Sequence, residues 1–105
     1  MRNENIAGAI GGNFKASCLM FHDFECHLRK RGFKLSGIDE EGNGNLRYTY
    51  LRYSDNGTIG GMVIFGKNQK YSFGYIVKPE NIQECRVELE NIIQEIGLEA
   101  ELDVL

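Results

Sequence analysis

Between residues 33 and 77 the apolar residues fall largely at every second position, while over residues 14–31 and 79–97 they recur at every third or fourth. Period two belongs to strands and period 3.6 to helices, so this chain must fold helices together with a sheet. Phe33, Leu35 and Gly37 share one face of a strand, and the Glu40–Asn45 run is a loop by composition. Leu46, Tyr48 and Tyr50 alternate with Arg47 and Thr49, after which Leu51 and Tyr53 break phase, as at a bulge or in a strand apolar on both faces. Asp55-Asn56-Gly57 is a hairpin signal, because these residues tolerate the positive φ of a type I′ turn. Strands over Ile59–Phe65 and Lys70–Val77 are then joined by the short Gly66–Gln69 turn, and connections this short make an antiparallel meander.

Phe14, Ser17, Phe21, Phe24 and Leu28, with Met20 beside them, predict a helix over residues 14–31. Asn13 is its expected N-cap and Gly32 its stop, with Arg29, Lys30 and Arg31 at the negative end of the helix dipole. Residues 1–13, with the Gly-broken run IAGAIGG, are expected to form a flexible arm or a first short strand. Pro79 suits a first helical turn, and Ile82, Cys85, Leu89, Ile92, Ile93 and Ile96 line the stripe of a second helix that Gly97 ends. Leu98, Ala100, Leu102 and Val104 then alternate with Glu99, Glu101 and Asp103, which reads as a terminal strand, with continued helix as the alternative.

The expected fold is a two-layer α+β domain over residues 14–105, with an antiparallel four- to five-stranded sheet and two helices on one face, in the order α-β-β-β-β-α and a terminal β. A chain of 105 residues has room for one core. The inward face is expected to collect Phe33, Leu35, Leu46, Tyr48, Tyr50, Val63, Phe65, Tyr71, Phe73, Tyr75 and Val77. The outward face would show Ile38, Leu51, Met62, Ile64 and Ile76, flattened by Gly60 and Gly74. Met62, Ile64 and Ile76 thereby become a candidate contact with a partner or a second copy, since an uncovered face that apolar calls for a cover.

No stretch nears the roughly 18 apolar residues of a membrane span. Three cysteines without a close pair point to a reducing, cytoplasmic setting rather than a disulfide framework. Charge is unevenly spread. Residues 79–105 carry eight carboxylates against Arg86 alone, a balance of −7, so the remaining residues stand at +4 within the total of −3. Glu80, Glu84, Glu88, Glu95 and Glu99 form a candidate acidic ridge, although Glu on a helix's outer face is also simply a good helix former. Of opposite sign, Arg29, Lys30, Arg31, Lys34, Arg47 and Arg52 could follow a phosphate backbone. The α-β-β-β-α core order resembles double-stranded-RNA-binding domains in outline, but those place Lys at the start of the last helix, where this chain has Glu80, Glu84 and Glu88.

Cys18, His22 and Cys26 stand four apart along one helix flank, with Cys85 as a conceivable fourth ligand for zinc. Three ligands on one straight helix fan out around its axis, so the plainer reading is a helix without a metal, and no cofactor is expected. A Cys–His nucleophile pair lacks an orienting third group or an oxyanion hole. The Gly-rich Gly8–Ser17 stretch lacks the Gly-Lys-Ser/Thr ending of a phosphate loop.

The expectation that follows is a small non-catalytic protein-binding module. Its sharper form is an inhibitor or immunity protein, of the anti-CRISPR-like or antitoxin-like kind, that blocks a nuclease or other nucleic-acid-binding enzyme through an acidic surface. The alternatives are a small RNA/DNA-binding domain using the basic 27–34 segment, and a Cys/His metal protein or enzyme.

Overall fold

The structure, a computed structural model, describes residues 8–54 and 57–104. Its elements run β1 (Gly8–Lys15), α1 (Cys18–Lys30), β2 (Phe33–Glu40), β3 (Leu46–Ser54), β4 (Gly57–Lys67), β5 (Lys70–Val77), a short 3₁₀ turn (Pro79–Asn81), α2 (Ile82–Ile96) and β6 (Glu99–Val104). The α+β class and the antiparallel pairing are as expected, but the sheet has six strands in the order β2-β3-β4-β5-β1-β6. Both helices pack on one face, where Phe21, Phe24 and Leu28 of α1 and Cys85, Leu89 and Ile92 of α2 join the inward residues of the strands in one core. Asp55 and Asn56 of the expected hairpin turn lie outside the described residues, as do residues 1–7 of the expected arm.

The extra strand comes from the segment read as arm or first short strand. Residues 8–15 insert between β5 and β6 and pair with both, which makes β1 an interior strand. Three glycines, Gly8, Gly11 and Gly12, lower its strand propensity, and only pairing on two sides makes up for that. The helix consequently starts at Cys18 instead of residue 14, and its N-cap is Ser17, whose Oγ accepts the Met20 N–H at 3.2 Å, instead of Asn13. Phe14 belongs to the strand, yet it still meets Phe21 and Phe24 with ring centroids 6.4 and 5.1 Å apart, so the apolar spacing that suggested one long helix survives as a contact between two elements. Gly32 and Gly97 take φ of +92° and +81° after the two helices, where any side chain would be strained.

A second correction concerns β4. Met62 and Ile64 point inward and are fully buried, opposite Tyr75 and Phe73 of β5, while Val63 and Phe65 point outward. Because Met62-Val63-Ile64-Phe65 is apolar in both phases, alternation within the strand could not choose between them. The choice falls to the neighbour: an ideal Cβ on Gly60 would lie 2.6 Å from the Ile76 carbonyl oxygen and 2.9 Å from the Tyr75 ring, so the inward side at that end is open only to glycine. Ile38 lies in register with inward-facing Tyr48 past the bulge at Leu35/Gly37, so it is not on the outer face, although it is 52% exposed.

Candidate functional site

The expected acidic ridge does not form one continuous surface. Glu88 turns inward and forks onto Arg52, with Oε1 2.9 Å from Nη2 and Oε2 3.0 Å from Nη1. Arg52, placed among the nucleic-acid contacts by its charge, is only 8% exposed. The two residues assigned to surfaces of opposite sign are thus each other's partners. Arg52 Nη2 also donates to Tyr75 Oη at 2.8 Å and Nη1 to the Arg31 carbonyl at 3.3 Å, and the guanidinium lies 4.5 Å from the Phe33 ring centre. Cys85 Sγ completes the cluster 3.6 Å from Nη2, so Cys85 is a core residue bound into this network and stands with no zinc-forming group. Burial pulls the Arg52 pKa down, but the Glu88 carboxylate and Tyr75 outweigh it and the net shift is upward. Arg52 Nε is buried without a hydrogen bond among the described residues. This network bolts β3 and β5 to α2; chemically it is a structural ion pair whose two Nη atoms are fully engaged.

The remaining acids separate. Glu80 and Glu84 are exposed at the start of α2. Glu95 Oε1 lies 4.0 Å from His27 Nδ1, and Glu99 Oε2 3.8 Å from Lys15 Nζ. Alongside Glu99, the register places Glu101 and Asp103 on the outward side of β6. These two were absent from the expected site, although the alternation of residues 98–104 already puts them on one face with Glu99. The acidic surface therefore follows the edge strand β6 in addition to the outside of α2.

The expected basic residues do not converge either. Arg29, next to Glu25 at 3.5 Å, and exposed Lys30 lie on α1; Arg31 is 3.8 Å from Glu88; Lys34 is exposed on the opposite, outward face of β2. Arg47 also faces outward, between Asp39 at 3.3 Å and Glu41 at 3.7 Å. A different basic group emerges from the register: Lys67, Lys70 and Lys15 are successive cross-strand partners on β4, β5 and β1. Lys67 and Lys70 flank one turn, but Lys15 lies far from them in sequence, so no local spacing joins the three.

Among the described residues no helix covers Leu51, Val63, Phe65 and Ile76 on the outer face, with Gly61, Gly74 and Gly11 between them. Ile76 is 58% and Phe65 39% exposed. Of the residues expected outward, Leu51 and Ile76 are present, and of the candidate contact Met62, Ile64 and Ile76 only Ile76 remains. On α1, His22 Nε2 and Cys26 Sγ approach to 3.6 Å at the surface, and among the described residues no three His, Cys, Asp or Glu side chains gather as a metal site. The three cysteines are free. Among the described residues no helix is long and apolar enough to cross a membrane.

No family model and no curated protein matches the chain. Among solved structures it is similar to a crystal structure of an unknown protein from Galdieria sulphuraria, with 12% identity and a TM-score of 0.42 over 100% of this chain and 52% of that one. The chain spans about half the length of that protein, and a likeness of this size carries no argument about function.

Proposed function

We propose that this chain is a small non-catalytic protein-binding module, and that its sharper role is to occlude a basic, nucleic-acid-binding surface on a partner enzyme, as a cytoplasmic inhibitor or immunity protein does. The observation that carries the reading is the acidic border made by exposed Glu99, Glu101 and Asp103 along β6, to whose negative field exposed Glu80 and Glu84, on a separate surface where α2 begins, add. Acids concentrated along one border raise the local negative potential and speed encounter with a basic partner. With Glu88 committed to Arg52, the ridge is narrower than the charge count alone suggests.

A second reading, direct RNA or DNA binding, draws support from the Lys67–Lys70–Lys15 row beside exposed Phe65, since cations beside an aromatic on an open sheet suit a single strand. Affinity purification from the native host, with mass spectrometry and nuclease-treated controls, separates the two: a protein recovered after nuclease treatment supports the first. Recovery of nucleic acid alone, bound directly with a steep salt dependence, overturns it in favour of the second.

A further inference from the structure

The geometry points to the outer edge of β6 as the place where an extended, basic segment of the partner adds a seventh strand to the sheet. This deepens the protein-binding reading and rests on it. Among the described residues β6 pairs only with β1, through an unbroken register from Glu99↔Lys15 to Val104↔Ile10, so its other edge presents a row of unpaired backbone N–H and C=O groups. The opposite edge, β2, is interrupted by its bulge between Leu35 and Gly37 and is a poorer template.

What would flank the added strand is already in place on both faces. Inward, a groove of about 390 Å³ lies between α2 and β6, lined by Glu90, Asn91, Ile93, Gln94, Ala100 and Leu102. No β1 residue lines it, so it lies on the β6 side of α2, where Ile93, Ala100 and Leu102 offer apolar contact to alternate side chains of an incoming strand and Glu90 adds a carboxylate. Outward, Glu99, Glu101 and Asp103 present three acids at every second residue, matching cations at every second residue of the incomer. The same acids weigh against a second copy as the occupant, since β6 on β6 sets acid beside acid. Charge complementarity and the two-residue alternation of β6 together select a strand that alternates Lys or Arg with apolar residues, by the general route of β-augmentation.

The test uses the full chain and a capped peptide as long as β6 that alternates lysine and valine, with a glutamate–valine peptide and a lysine–valine peptide N-methylated on its pairing edge as controls. Amide exchange and titration should show the lysine peptide protecting the β6 amides that do not bond to β1, with affinity falling as salt rises. Both control peptides should fail to bind. Glu101→Lys should weaken the lysine peptide at least tenfold, and Asp23→Lys, at an exposed position of α1 away from the edge, should leave it unchanged. Equal binding of the N-methylated peptide means charge attraction without strand addition and overturns the inference. No binding, or protection confined to the Phe65 and Ile76 face, also overturns it. A captured protein partner whose footprint leaves β6 unprotected overturns the edge assignment while the protein-binding reading stands; capture of nucleic acid without protein overturns that reading instead.

Discussion

Arg52 occupies an inward position of β3, two residues beyond Tyr50, where an aliphatic side chain would ordinarily sit. Its charge is tolerated because Glu88, Tyr75 and the Arg31 carbonyl accept its hydrogen bonds and Phe33 lies against its face. Arg52→Met leaves the Tyr75 hydroxyl without its Nη2 donor and the partly exposed Glu88 carboxylate with Arg31 alone, 3.8 Å away. Removing one partner of a fully buried pair costs about 3–5 kcal/mol; Glu88 is partly exposed and keeps Arg31, so the cost should lie at or below the low end of that range, and Glu88→Leu in the same chain should return part of it; urea unfolding of the single and double variants checks both. Tyr50 is the other polar anchor, donating its hydroxyl to Glu25 Oε2 at 2.7 Å. Burial first, then the Glu25 hydrogen bond, pushes the Tyr50 pKa up, and burial does the same to Tyr75 against the opposing pull of Arg52. A raised folded-state pKa means the folded chain holds these protons after the unfolded chain has lost them. The contribution is complete below the ordinary tyrosine value of 10.0 and falls away as pH rises above it. Melting temperatures taken from pH 8 to 11, values set around the ordinary tyrosine pKa of about 10, should drop at the alkaline end. The drop should be shallower in Tyr50→Phe.

Strand β4 shows how a neighbour decides a face. Ile64 is fully buried, whereas Ile76 on β5 is 58% exposed on the uncovered side. Ile64→Lys places an unpaired ammonium in the core and should unfold the chain or cost more than about 4 kcal/mol. Ile76→Lys should keep the melting temperature within a few degrees, and light scattering on that variant reports whether the face holds a second copy. Glycines divide in the same way. Gly60→Ala drives a methyl against the Ile76 carbonyl, a strain of about 1–3 kcal/mol, while a Cβ at Gly74 meets nothing within 4 Å and the alanine is tolerated. Thermal melts of the two alanine variants separate these outcomes. Phe73 is 5% exposed, so Phe73→Ala should cost about 3–5 kcal/mol by the same measurement.

For the whole molecule, the interior position of β1 makes the sharpest demand. Deleting residues 1–13 removes most of the strand that joins β5 to β6, so the truncated chain should lose its cooperative thermal transition by circular dichroism. A flexible arm would leave the melt unchanged. Local signals settled a good share of the architecture: the 3–4 spacing of Phe21, Phe24 and Leu28, the stripe from Cys85 to Ile92, the left-handed glycines after both helices and the alternation of residues 98–104 all report backbone periods written within one element. Tertiary structure decided the rest. Residues 8–15 form a strand because two neighbours pair with them, Met62 and Ile64 turn inward because β5 sets their register, and Arg52 and Glu88 find each other across 36 positions of chain. In each of these cases the energy lies in a contact between segments distant in sequence, and a period measured along one segment holds no information about which partner it will meet.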